Sequence, residues 1–304
     1  MRKMFVASLV AALLVVTAFA QEQGCELSGT LGMEFTFTPV PPATLNVDTA
    51  ITLSLSFAGA HVSSRTVISL DGLEAEHLTF GVDLDGVTLT TGMRFDPCFS
   101  KYWFSVRGGC CPFDLGALFL VENLAQPCQT PDYTVGIVLD IGLHFDSGFF
   151  VRSLTGFGVE GLYYLIDDDP ATDLVAVPGW WFEEELIHLG FITDCLRTES
   201  IFLFDELGFS WAQFQAFYLW SEPAIELGAG VWLDSAFAFS RADLILGVTI
   251  DPVELRSTTS FDFSGFLSQE IDISVSFSGI RLYSRTSFDF TGLVSEVVGF
   301  ELSF

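Results

Sequence analysis

Leu45-Asn46-Val47-Asp48-Thr49-Ala50-Ile51-Thr52-Leu53-Ser54-Leu55-Ser56-Phe57 decides how this chain is read. Leu45, Val47, Ile51, Leu53, Leu55 and Phe57 fall on one parity, with Thr49 among them. Asn46, Asp48, Ala50, Thr52, Ser54 and Ser56 fall on the other. A period of two is the pleat of a β-strand, with one greasy face and one small, polar face. The same alternation recurs at 31–37, 78–84, 87–95, 135–145, 225–233 and 242–250. It continues through the C-terminal quarter at 253–263, 271–277, 280–290 and 298–304. No helical spacing fits these segments better.

The charges sharpen this reading. Within the alternating segments the acids are Glu34, Asp48, Asp83, Asp140, Glu226, Asp243, Glu254, Asp262, Asp272, Asp289 and Glu301. The arginines are Arg94, Arg256, Arg281 and Arg285. All lie on the polar parity. An unpaired buried charge costs several kcal/mol, so the segregation reports a physical boundary. It does not say whether the greasy side meets lipid or another sheet. Asp85-Gly86 and Ser278-Gly279 are two-residue links between such runs, where glycine supplies the positive φ of a tight hairpin.

The chain also repeats itself. Residues 70–96 shifted by 193 positions align without gaps: Gly72 with Gly265, Leu78 with Ile271, Gly86 with Gly279, Asp96 with Asp289. Arg65-Thr66, Gly72-Leu73 and Glu76 echo in Arg285-Thr286, Gly292-Leu293 and Glu296. Thr259-Ser260-Phe261-Asp262-Phe263 returns as Thr286-Ser287-Phe288-Asp289-Phe290 after 27 positions. One hairpin unit used many times explains such self-similarity. A 27-residue hairpin leaves two strands of about ten residues, near the ~9–11 that a tilted strand needs to cross a bilayer.

Composition excludes several classes. The 304 residues carry 12 Lys+Arg against 39 Asp+Glu, and half are hydrophobic. Wholesale disorder is excluded, and so is a nucleic-acid binder that tracks phosphates with a basic stripe. Arg2 and Lys3, the apolar run 4–16 and Ala18-Phe19-Ala20 have the form of an export signal over 1–20. The mature domain is then 21–304, with a long loop near 161–185. No later segment is apolar for long enough to cross a membrane as a helix.

Strands of alternating direction would place short links at one end, such as Asp85-Gly86 and Asp251-Pro252. Longer links would lie at the other: 39–44, 71–77, 123–134, 161–185, 264–270 and 291–296. The last strand carries Val298, Phe300, Leu302 and a terminal Phe304 on one parity. Together these features resemble the bacterial outer-membrane β-barrel, porin-like class. The resemblance implies an all-β, antiparallel up-and-down transmembrane barrel of about 16–18 strands. It also implies a lipid bilayer as surroundings, and Val298 to Phe304 as the signal read by the outer-membrane assembly machinery. The residues alone leave open a soluble, secreted β-sandwich or β-repeat, with a structural or adhesive role at the cell envelope.

Trp103, Trp211, Trp220 and Trp232 are candidates for a barrel's interfacial girdle. Six cysteines in an exported chain point to disulfides. The strand count sets Cys98 and Cys128 at one end, as an expected pair. Cys25, Cys110, Cys111 and Cys195 lie at the other, pairing among themselves. No CxxC or HExxH spacing proposes a metal, and no G-x-S-x-G elbow proposes a nucleophile. Asp167, Asp168 and Asp169 in the long loop form a weak calcium candidate without the order of an EF-hand; no other cofactor is expected.

The chain therefore reads as a non-enzyme. Glu254, Arg256, Asp262, Asp272, Arg281, Arg285, Asp289 and Glu301 share the polar parity of the last strands and are the candidate pore lining. Acids outnumber arginines on that parity, so the expected activity is a passive, weakly cation-selective pore for small ions or solutes.

Overall fold

The computed structural model describes residues 26–39, 43–57, 59–96, 98–125, 129–166, 173–221 and 224–304. The strands, in chain order, begin with β1 (Glu26–Thr38), β2 (Thr44–Phe57), β3 (Ala60–Ser69), β4 (Gly72–Leu84) and β5 (Val87–Phe95). There follow β6 (Phe99–Cys110), β7 (Phe113–Asn123), β8 (Tyr133–His144) and β9 (Phe149–Phe157). A short pair, β10 (Val159–Glu160) and β11 (Val175–Ala176), flanks one 3-10 turn at Leu162–Leu165. The series resumes with β12 (Phe182–Ile192), β13 (Leu196–Asp205), β14 (Gly208–Ser221), β15 (Ala224–Leu233) and β16 (Phe239–Ile250). It ends with β17 (Val253–Asp262), β18 (Gly265–Phe277), β19 (Ile280–Asp289) and β20 (Gly292–Ser303).

All strands except β10 and β11 form one antiparallel sheet of 18. Each pairs with its successor, and β9 pairs with β12 across the insertion. β1 then pairs with β20, from Thr30 opposite Ser303 to Phe37 opposite Glu296. The sheet is therefore a closed barrel with no free edge. This is the upper end of the expected strand range, and it excludes a sandwich of two facing sheets.

The seam is completed at the C-terminus. Gly29 N–H donates to the Phe304 carbonyl and Phe304 N–H to the Gly29 carbonyl, each at 3.0 Å. The Phe304 ring lies over Gly29, where a Cβ would stand only 2.6 Å from the ring Cζ. Val298, Phe300 and Leu302 face outward above it by alternation.

Closure converts sequence parity into inside and outside. The insertion between β9 and β12 touches both Lys101 on β6 and Gln213 on β14, strands far apart around the wall, so it crosses the inside. Through the pairing register, these contacts assign the polar parity of every strand to the interior. Apart from Arg2 and Lys3, every Lys and Arg of the chain occupies an inward strand position. The outer wall is Leu, Ile, Val and Phe over most of its height, and many of these side chains are exposed.

The two ends differ less in link length than the sequence suggests. At the end holding both termini, Asp85-Gly86 and Ser278-Gly279 take positive φ at both central residues (37° and 91°, 37° and 86°). That is the hairpin turn whose twist matches its strands. At the other end, 71–77, 264–270 and 291–296 are not long loops. Strand structure starts at Gly72, Gly265 and Gly292.

The compact solution at that end is local chemistry. Asp205, Asp262 and Asp289 each accept a backbone N–H two residues on, from Leu207, Ser264 and Thr291, at 2.8, 2.7 and 2.7 Å. A glycine with φ near 120° then re-enters the ladder past a bulge. The sequence repeats are copies of this hairpin. The long insertion is shorter than expected at its far side, because β12 begins at Phe182. The expected signal at 1–20 lies outside the described residues.

Replacing Gly29 by leucine should force the Phe304 ring off the seam, an overpacking cost of about 1–3 kcal/mol. Deleting Phe304 should act in the same direction. Both variants should show a smaller fraction of compact, heat-modifiable barrel on unheated gels; an unchanged fraction would show that the seam does not depend on this contact.

Candidate functional site

The barrel interior is divided into a packed half and an open half. The packed half is filled by the insertion between β9 and β12. Val159, Leu162, Leu174 and Ala176 are fully buried against Trp103, Leu120, Val138, Leu154 and Leu186. Those wall residues occupy inward positions of β6, β7, β8, β9 and β12. Burying a leucine such as Leu162 or Leu174 is worth about 2 kcal/mol, enough to hold irregular backbone against the wall only if its polar groups are also met.

They are met by inward-facing charges. Glu184 Oε2 accepts the N–H groups of Gly161 and Leu162, at 2.8 and 3.0 Å. Glu122 Oε2 accepts from Ala176 N–H at 2.7 Å. Lys101, which is buried, donates to the Leu174 carbonyl and lies 3.7 Å from Glu122. Arg152 donates to the Leu165 carbonyl at 3.1 Å, while its other nitrogens hold Asp140. Tyr163 packs edge-on to Trp211 and donates to Gln213 at 3.3 Å. Trp211 and Trp232 are thus interior residues beside the insertion, and Trp103 is buried beneath it. Of the four tryptophans expected in a girdle, only Trp220 stands on the outer wall.

The open half lies along β14 to β20 and β1. A cavity of about 730 Å³ is lined there by Glu254, Arg256, Asp272, Arg281, Arg285 and Glu301 of the expected set, joined by Glu34, Glu226 and Tyr283. Asp262 and Asp289 are not part of this lining. Each is the final residue of its strand, and its carboxylate is spent on a hairpin turn. Sequence parity placed them correctly but could not show that the strand ends there.

The lining charges are neighbours on one wall and not rows opposed across the lumen. Arg256 is in register with Asp272, and Asp272 with Arg285, on three successive strands. Arg285 Nε lies 2.6 Å from Asp272 Oδ1, and Arg256 reaches Glu226 at 3.1 Å. Arg281 faces Glu301 in register and lies over the Tyr283 ring at 5.8 Å. Glu34 stands directly opposite Asp48 across β1 and β2. Glu34 was missed as lining because only barrel closure sets β1 beside β20; Glu226 was missed because it stands on β15, before the last strands taken as the lining, and reaches Arg256 across Gly247.

Two other sequence candidates fall elsewhere. Cys110, Cys111 and Cys195 are free, exposed thiols at the terminal end of the barrel, so they do not pair among themselves. Turn backbone, not a crosslink, closes those hairpins. Cys98 is not a free thiol, while its expected partner Cys128, like Cys25, lies outside the described residues. So do Asp167, Asp168 and Asp169; among the described residues no cluster of His, Cys, Asp or Glu could hold a metal.

The arrangement of closed wall, inserted loop and charged opening can be set against known proteins. No family model matches the sequence, and curated proteins give no match. Solved structures do match. A five-substitution mutant of the Rh. blastica porin covers 92% of this chain and 100% of its own at a TM-score of 0.53 and 10% identity. The chain has a porin-like barrel fold. A second mutant of that porin aligns over the same shares at 0.52 and 10% identity. So does a structure described as "Asymmetric conductivity of engineered proteins". At such identity the likeness extends to the fold of this porin-like barrel, and its lining has to be argued from its own residues.

Lys101→Met should release the Leu174 carbonyl and leave Glu122 without its cation. In planar bilayers the variant should show larger or noisier single-channel steps than the parent. Identical steps would show that the insertion is held without this contact.

Proposed function

We propose that this protein is an outer-membrane pore for small ions and solutes, passive and weakly cation-selective. The supporting observation is the open half of the lumen: a charged cavity of about 730 Å³ beside a packed half. Five carboxylates line it (Glu34, Glu226, Glu254, Asp272 and Glu301) against three guanidiniums (Arg256, Arg281 and Arg285). Pairing within the wall cancels much of the field, since Arg256 and Arg285 are each spent on an acid. At ~0.15 M salt the Debye length is about 8 Å, so what remains acts only close to the wall. A modest preference for cations follows, in place of strong exclusion of anions.

The same reading makes 1–20 the export signal and the Phe304 strand the element presented to the assembly machinery. Cys98 with Cys128 is the disulfide it favours, on the side of the barrel opposite the termini. No catalytic role is assigned to any lining residue.

Under a tenfold potassium chloride gradient, the reversal potential should carry the sign of potassium selectivity. The double variant Glu34→Gln, Glu254→Gln should move it toward zero, and Arg256→Gln should move it the other way. A parent channel that prefers chloride would refute the lumen assignment, and absence of conductance in inserted barrels would refute the pore.

A further inference from the structure

The packed half of the lumen holds a cavity of its own, of about 210 Å³, between the insertion and the terminal end of the barrel. Its apolar wall is Trp103, Leu118, Val138 and Leu154, one from each of β6 to β9, and Leu165 of the 3-10 turn closes it from the insertion. Its charged end is Arg107, Asp140 and Arg152, on β6, β8 and β9. Thr90 and Ser105 add hydroxyl groups.

Strand register builds the charged end. Arg107 stands opposite Gly116, and Gly116 opposite Asp140. A Cβ at Gly116 would lie 3.2 Å from the Asp140 Cβ, so the bare backbone there leaves Asp140 room to lean across β7 toward Arg107. Asp140 Oδ2 accepts from Arg107 Nη2 at 2.8 Å and from Arg152 Nη2 at 2.9 Å, and its Oδ1 accepts from Arg152 Nε at 3.0 Å. One carboxylate thus serves two guanidiniums, and the lining carries a positive charge in excess. The neighbouring acids are engaged elsewhere. Asp83 accepts from Thr88 at 2.8 Å, Asp114 lies 3.1 Å from His144, and neither lines the cavity.

The two arginines are not equivalent. Arg152 is largely buried and holds both Asp140 and the Leu165 carbonyl, so it belongs to the scaffold of the insertion. Arg107 is 53% exposed and engages only its Nη2. The remaining N–H groups of its planar fork, whose shape matches a carboxylate, have no acceptor among the described residues. Trp103 supplies an independent sign of an incomplete site. It is 1% exposed, yet its indole Nε1–H also has no acceptor among the described residues. A buried donor left unpaired carries a desolvation cost that a guest bearing an oxygen can remove.

We infer that this cavity is a binding site for a small monocarboxylate with an apolar body, its carboxylate on Arg107 and its body against Trp103, Leu118, Val138 and Leu154. Sites for drug-sized ligands run to ~300–1,000 Å³, so the guest is small, of benzoate size. The apolar wall disfavours a bare phosphate, which would give up water there with nothing to replace it. The excess guanidinium disfavours a cation. This goes beyond the pore reading, which concerns the acid-rich cavity of the other half; it requires the closed barrel and no conduction.

The test uses the full mature chain refolded in dodecyl maltoside at low ionic strength, each variant checked for the compact, heat-modifiable band of a closed barrel. Calorimetric titration with sodium benzoate, corrected for empty micelles, should show saturable binding. Arg107→Gln should weaken it by about tenfold or more, the loss of a charged hydrogen-bond donor. Arg65→Gln, which removes an inward arginine of β3 outside this cavity, should leave it unchanged. Inorganic phosphate carries the charge without the ring, and benzyl alcohol the ring without the charge; both should bind far more weakly than benzoate. Absence of saturable benzoate binding would overturn the inference, as would binding that Arg107→Gln leaves intact. Equal losses in Arg107→Gln and Arg65→Gln would overturn it in favour of a general field in the lumen. Phosphate binding as tightly as benzoate would overturn the ligand class. Because no current is measured, a channel that fails to conduct and a cavity that fails to bind are told apart.

Discussion

Every other property of this molecule depends on the hydrogen bonds between its first and last strands. Backbone N–H and C=O groups cannot go unpaired where water is absent, and a sheet with edges leaves two rows of them. The pairing of β1 with β20 removes both rows. It also gives the sheet an inside. Before closure, parity along a strand distinguishes two faces; after closure, it assigns one to a lumen and the other to the surroundings. Gly29 and Phe304 matter because they occupy the last rung of that seam, where a side chain on the glycine would displace the ring that covers it.

The interior then poses a second problem. An 18-stranded wall is too wide to be filled by its own side chains. The protein fills part of it with the insertion between β9 and β12, and holds the irregular backbone there with side chains of Glu122, Glu184, Lys101 and Arg152. The only extensive apolar core in the described residues is this contact. What remains beside it is a charged cavity whose acids and arginines are paired along the wall, so its character follows from the acids left over.

Legibility of the strands followed the same division. β2, β5 and β16 to β20 could be recognised by alternation because their inner faces meet water or charge. β7 could not: Ala117-Leu118-Phe119-Leu120-Val121 is apolar on both parities, since Leu120 packs the insertion and Phe119 faces outward. Ile201 and Leu203 hide β13 for the same reason. A strand covered on both faces reads as a continuous greasy run. The candidate lining was half visible. Arg256, Asp272 and Arg285 could be found by parity, but Glu34 reaches the cavity only through closure, and Glu226 only through the strand succession β15 to β17. Asp262 and Asp289 carried the right parity into a turn, where their carboxylates serve backbone N–H groups.

By itself the sequence determined the two-faced strands, the hairpin repeats and the single parity of the charges within the alternating segments, because each depends on residues two apart or on a four-residue turn. Which strand follows the last, whether the greasy parity lies outside, where the insertion goes and which charges share a cavity depend on contacts between residues far apart in the chain. Only the closed barrel decides those, because it alone says which distant strands are neighbours and which face has room for water.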